Sequence, residues 1–110
     1  MTLKGTLDVS VTDGVPTFSL AVENTGSEPV TFQFRNGCKA DFAVESDGEE
    51  RWRFTDTRMF TQVLSSQEVA AGETATYEAQ GDQLESGEYT AVGELNANNH
   101  DCTARTPFSV

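Results

Sequence analysis

The sequence is poor in lysine: Lys4 and Lys39 are its only two, and all basic residues number seven against eighteen acids. The formal net charge is −11 and the pI lies near 4.2. A field of that sign repels phosphate backbones and anionic lipid, which excludes nucleic acid and membrane as partners. Long apolar runs are missing too, and nothing approaches the ~20 residues that span a bilayer. No basic start followed by a continuous apolar stretch opens the chain, so the expectation is a soluble protein retained in the cytoplasm. Histidine occurs once, as His100, and neither a GxSxG elbow nor a glycine-rich phosphate loop is present. Nucleophilic and phosphoryl-transfer chemistries therefore have no assembled machinery. No enzyme, catalytic residue or cofactor is expected.

Cysteine is scarce as well, with Cys38 and Cys102 alone. A reducing cytosol keeps such thiols unpaired. Cys102 shares the parity of Phe108 and Val110 and reads as a small buried hydrophobe. Cys38 follows Asn36-Gly37 at a strand end and is expected to be partly exposed. In "NNHDC", His100 and Cys102 stand two apart, but tetrahedral zinc takes four ligands and there is no second pair. No metal site is expected, and His100 reads as a polar tip on the last hairpin.

What is present is alternation of period two, the mark of half-buried strands. Leu7, Val9 and Val11 form one face, and Phe18, Leu20 and Val22 the next, with Asp13-Gly14 turning a hairpin between them. Val30, Phe32 and Phe34 make a third strand. Phe42 and Val44 precede "SDG", a second hairpin signal, and Trp52 and Phe54 follow it. "AAGE" turns into Ala75, Tyr77 and Ala79. "LESGE" leads into Tyr89, Ala91, Gly93 and Leu95, and the chain closes on Cys102 to Val110. Residues 1–110 then form a single domain, an all-β immunoglobulin-like antiparallel β-sandwich of seven to eight strands. In "SGEYTA", Tyr89 matches the corner tyrosine that precedes the second disulfide cysteine of such domains by two residues. Ala91 holds the cysteine's position here, so packing around Leu20 or Val22 replaces the bridge. The acids are dispersed among apolar residues and read as a solvated surface like that of proteins from salt-loving organisms. At ~1 M salt the screening length is only ~3 Å, and self-repulsion largely vanishes.

One stretch stands apart. "RWRFTDTRMF", residues 51–60, holds three of the seven basic residues, the only Trp and two of the seven Phe. Strand parity sends Trp52 and Phe54 into the sandwich and Arg51 and Arg53 outward, toward Glu49, Glu50 or a neighbouring Glu45. Surface ion pairs contribute only ~0–1 kcal/mol each, which leaves room for a partner. Residues 55–67 lack strand period yet carry Met59, Phe60, Val63 and Leu64. They allow at most one helical turn, capped by Thr55 or Asp56. Connections of that length are commonly functional or folded on themselves. The expectation is that Phe60 and Leu64 plug an open end of the sandwich; exposed anchors are the alternative.

Taken in order, "ADFAVESDGEERWRFTDTRMFTQVL", "AAGETATYE" and "ESGEYTAVGEL" resemble the intracellular proteinase inhibitor family BsuPI. The resemblance runs from the second strand to about residue 97. It implies a small immunoglobulin-like sandwich that binds and inhibits cytoplasmic subtilisin-like serine proteases; separately, a monomer without metal or cofactor is expected. The family's motif positions fall on Asp41, Phe42, Trp52, Phe60, Gln62, Gly72, Glu73, Gly87 and Tyr89, most of which read as architecture. Candidates for touching a partner are Arg51, Arg53, Arg58, Met59, Phe60 and Leu64. Met59, Phe60 or Leu64 would suit an apolar specificity pocket, and Arg58 a trypsin-like one. The alternative is a non-inhibitory interaction module that recruits a protein through the Arg51–Arg53 face.

Overall fold

The computed structural model describes residues 3–56 and 59–110. Among them nine strands follow in order: β1 (Leu3–Thr12), β2 (Val15–Asn24), β3 (Val30–Phe34), β4 (Ala40–Ser46), β5 (Glu49–Arg53), β6 (Ser65–Val69), β7 (Thr74–Gln80), β8 (Glu88–Leu95) and β9 (Thr103–Ser109). One 3₁₀ turn, Phe54–Asp56, follows β5. All pairings are antiparallel. One sheet has the order β1-β2-β7 and another β5-β4-β8-β9, while β3 and β6 form a two-stranded ladder. This is the all-β immunoglobulin-like sandwich that the alternation predicts.

Local chemistry explains the hairpins. Asp13 and Gly14 sit at φ 52° and 79°, and Asp47 and Gly48 at 54° and 80°. Positive φ at both central residues is the type I′ turn, whose twist matches that of the flanking strands. On β2, Pro16, Phe18, Leu20, Val22 and Asn24 are all buried, every second residue. Phe18 stacks on Phe42 of β4 with ring centroids 5.4 Å apart, joining the two larger sheets. Tyr89 forms the expected corner, its hydroxyl donating to the Glu85 carbonyl at 2.7 Å. Ala91, Leu20 and Val22 are fully buried where a bridged domain would carry its disulfide.

Three expectations need correction. First, the segment read as irregular contains a ninth strand, β6. Its core-facing positions are Ser65, Gln67 and Val69, opposite Phe34, Phe32 and Val30, so polar side chains erase the alternation that announces a strand. Second, Cys38 is buried, with its thiol donating to the Ala40 carbonyl at 3.2 Å. Third, Trp52 is half-buried at the rim of the core: its ring stacks on Phe18 at 5.6 Å, and its Nε1 donates to exposed Asp82 at 3.0 Å.

Both thiols are free and buried. Cys102 lies against β1, where a Cβ on Gly5 would come within 2.8 Å of the sulfur, so the close approach there requires glycine. Burial raises the pKa of Cys38 and Cys102 above the ordinary 9.0 and pushes Tyr77 up to about 12. For Cys38 the nearby Asp41 charge adds to the effect. These groups hold their protons more tightly when folded, so their stabilising contribution is complete below the unfolded pKa values and is lost as pH rises above them. The urea midpoint is therefore expected to fall steadily from about pH 9 upward; a flat profile from pH 8 to 11 would contradict the burial of all three.

Candidate protein-binding site

The irregular connection between β5 and β6 is held at its start by one carboxylate. Asp41, the second residue of β4, accepts bonds from the Thr55 amide at 3.2 Å and the Thr55 hydroxyl at 3.0 Å. It also accepts from Arg53 Nη1 at 2.6 Å and from the Phe42 amide at 2.9 Å. Arg53 is shared further with Glu50 at 2.7 Å and Glu94 at 3.6 Å. Hydrogen bonding to Glu50, with Asp41 assisting, holds the guanidinium still more firmly protonated.

Aromatic packing carries the segment onward. The Phe54 ring meets Phe42 at 6.2 Å, Trp52 at 6.3 Å and Phe60 at 5.7 Å. Such pairs add ~0.5–1.5 kcal/mol each beyond the area they bury. Past Phe60, the Thr61 carbonyl accepts from the Gly37 amide at 2.8 Å. A Cβ on Gly37 would sit 2.9 Å from the Thr61 hydroxyl, so this tether also depends on glycine.

Between these fixed points the apolar side chains turn outward. Met59 is 100% exposed, Leu64 77% and Val63 61%. Phe60 is half-buried against Phe54, so of the two expected plugs Phe60 packs inward and Leu64 does not. Leu64 lines a surface groove with Gln33, Phe34, Ser65, Ser66 and Asn98. Gln62 is exposed. Val63 belongs with Met59 and Leu64, although only its apolar character marked it in the sequence. Arg58 lies outside the described residues.

The two strand arginines do not share a face. β4 and β5 slip register between Val44 and Glu45, so that Val44 pairs with Trp52 and Glu45 with Glu50, leaving Arg51 in a bulge. Arg51 lines a recess with Gln83, Leu84, Glu85 and Tyr89 and approaches Glu49 at 3.4 Å. Arg53 lies among Asp41, Glu50 and Glu94 instead, and Glu45 is taken by Arg105.

The remaining motif positions brace the frame. Gly72 takes φ 80° in the β6–β7 turn, where the Glu73 carboxylate accepts from the Ala70 amide at 2.8 Å. Gly87 exchanges backbone bonds with Val110. His100 is half-buried, edge-on to Phe32 at 5.5 Å. Among the described residues no group of three His, Cys, Asp or Glu could hold a metal ion, and no helix is long and apolar enough to cross a membrane.

One solved structure shares the fold, and a second aligns less closely. A GH3 β-glucosidase from Bifidobacterium adolescentis aligns at TM-score 0.54 and 13% identity, covering 99% of this chain and 17% of that one. A candidate β-galactosidase from Bacteroides fragilis aligns at TM-score 0.46 and 16% identity, covering 99% and 16%. The chain thus spans about a sixth of either protein, and the likeness to the glucosidase speaks for architecture alone. No curated protein matches the chain. The family described as BsuPI, intracellular proteinase inhibitor, matches residues 3–100. The Asp41–Phe42 pair, the rim Trp52, the braced segment after it and the Tyr89 corner all lie inside that match, and the chain belongs to the BsuPI family of intracellular proteinase inhibitors.

Proposed function

We propose that this protein is a non-enzymatic inhibitor of a subtilisin-like serine protease inside the cell, and that it binds through the connection at 59–64. The observation that carries the reading is the full exposure of Met59, with Val63 and Leu64 beside it, on a segment pinned by Asp41, Phe54 and Gly37. Exposed apolar side chains on an ordered loop are costly to keep in water and suit an apolar specificity pocket. Ordering them before contact lowers the entropic cost of association. The partner faces a chain of charge −11, so a basic cleft rim speeds encounter at low salt. Recruitment through an Arg51–Arg53 face draws no support, because Arg53 is already engaged by three carboxylates.

Met59→Asp and Leu64→Asp place charge where the apolar anchors stand, without touching the core. Each is expected to raise the inhibition constant against a subtilisin-type protease about tenfold or more, with an unchanged melting temperature. Full inhibition by the double variant would remove this loop from the interface.

A further inference from the structure

The β3–β6 ladder has one edge taken and one edge open. On β3, the Gln33 carbonyl accepts from the Asn98 amide at 2.7 Å and its amide donates to Asn99 Oδ1 at 3.1 Å, while the Thr31 carbonyl accepts from Asn99 Nδ2 at 2.9 Å. Gln33 and Thr31 therefore direct their main-chain groups away from β6. Their cross-strand partners are Ser66 and Glu68. In an antiparallel ladder such non-hydrogen-bonded pairs point outward on both strands. The N–H and C=O of Ser66 and Glu68 thus face solvent on the far side of β6, and no bond to either is recorded among the described residues. Ser65, Ser66 and Glu68 are exposed, and exposed Val63 and Leu64 lead directly into the strand.

We infer that this open edge of β6 is the strand that pairs with the main chain of the target protease, a deepening that rests on the function proposed above. The occupant is an extended backbone segment flanking an apolar pocket, because proteases hold extended chains by main-chain hydrogen bonds and read alternate side chains in pockets. Leu64 immediately precedes β6, two residues before Ser66, so the apolar side chain stands beside the start of the outward-facing edge. By contrast β5, the end strand of the four-stranded sheet, carries Glu49, Glu50, Arg51 and Arg53, the charge that protects an edge from pairing.

Ser66→Pro deletes an outward amide and leaves the bonds to β3, which come from Ser65, Gln67 and Val69, in place. Its inhibition of a purified subtilisin-type protease is expected to weaken about tenfold, while the wild-type amides of Ser66 and Glu68, fast to exchange in the free protein, become protected in the complex. Exchange of the wild-type chain decides the matter even if the proline variant folds poorly. Inhibition by wild type with those amides still exposed overturns the edge assignment alone. Absence of inhibition by wild type overturns both readings. Slow exchange in the free protein that speeds on dilution assigns the edge to a second copy of this chain and overturns the inference.

Discussion

Asn24→Ala lowers the unfolding free energy by about 3 kcal/mol, the largest effect expected of any single polar substitution here. Asn24 is fully buried at the end of β2. Its Nδ2 donates to the Glu28 carbonyl at 2.8 Å and the Val69 carbonyl at 3.0 Å, and its Oδ1 accepts from the Gly26 amide at 3.0 Å. Its own backbone pairs with Gly72 and Glu73. One side chain thus fastens the β2–β3 loop and the end of β6 to the first sheet. Alanine leaves the buried Val69 carbonyl without its partner and frees the loop groups of Gly26 and Glu28, and an unmet buried group costs ~1–3 kcal/mol. Leucine is expected to do no better, because the groups left behind are the cost. Thermal melting checks this: a drop of more than about 10 °C is expected, and a shift of a degree or two would show that water replaces the amide.

The second large effect is expected at Asp41. Asp41→Ala removes the acceptor for Thr55, Arg53 and the Phe42 amide together. The carboxylate side chain is 14% exposed and that of Arg53 26%, so the pair is shielded enough for breaking it to matter. A loss of about 2–3 kcal/mol is expected. Glu50 and Glu94 still hold Arg53, which keeps the cost below that of an orphaned buried cation. The more telling consequence lies downstream. With Thr55 released, the segment that presents Met59 and Leu64 loses its first anchor, and amide exchange at Thr55 and from Met59 to Leu64 is expected to quicken more than in β2 or β8. Asp41→Asn, which keeps two bonding sites, is expected to recover part of both effects. Equal exchange rates in wild type and Asp41→Ala would show that the Phe54–Phe60 contact and the Gly37–Thr61 bond fix the segment without Asp41.

Much of the frame was legible because its signals are local. Asp13-Gly14 and Asp47-Gly48 announce their hairpins through the one turn geometry that fits them. β2 announces itself by unbroken alternation, and Tyr89 by its spacing from Ala91. The missing information is long-range. Asn24 opens "NTGSEP", a stretch that reads as loop, and nothing local shows that its amide will meet Val69. Ser65 and Gln67 stand opposite Phe34 and Phe32 on β6, where half-buried Gln67 accepts from the Tyr77 hydroxyl at 2.7 Å; polar residues at these positions leave no apolar period to follow. Cys38 sits in a loop, yet Asn96 and Ala40 close over it. At the candidate site the irregular segment stood out in the sequence, but not the direction of its side chains. Leu64 was expected to pack inward, whereas Phe60 packs on the Phe54 ring and Leu64 stays outside. The bulge at Arg51 is likewise invisible to parity, which assumes an unbroken ladder.

The most direct test of the account is a titration of the purified protein against a subtilisin-type serine protease with a small chromogenic substrate. The account predicts that turnover falls as protein is added and that the inhibitor chain remains uncut and in complex. Undiminished turnover at micromolar protein, with residues 59–64 intact, would contradict it.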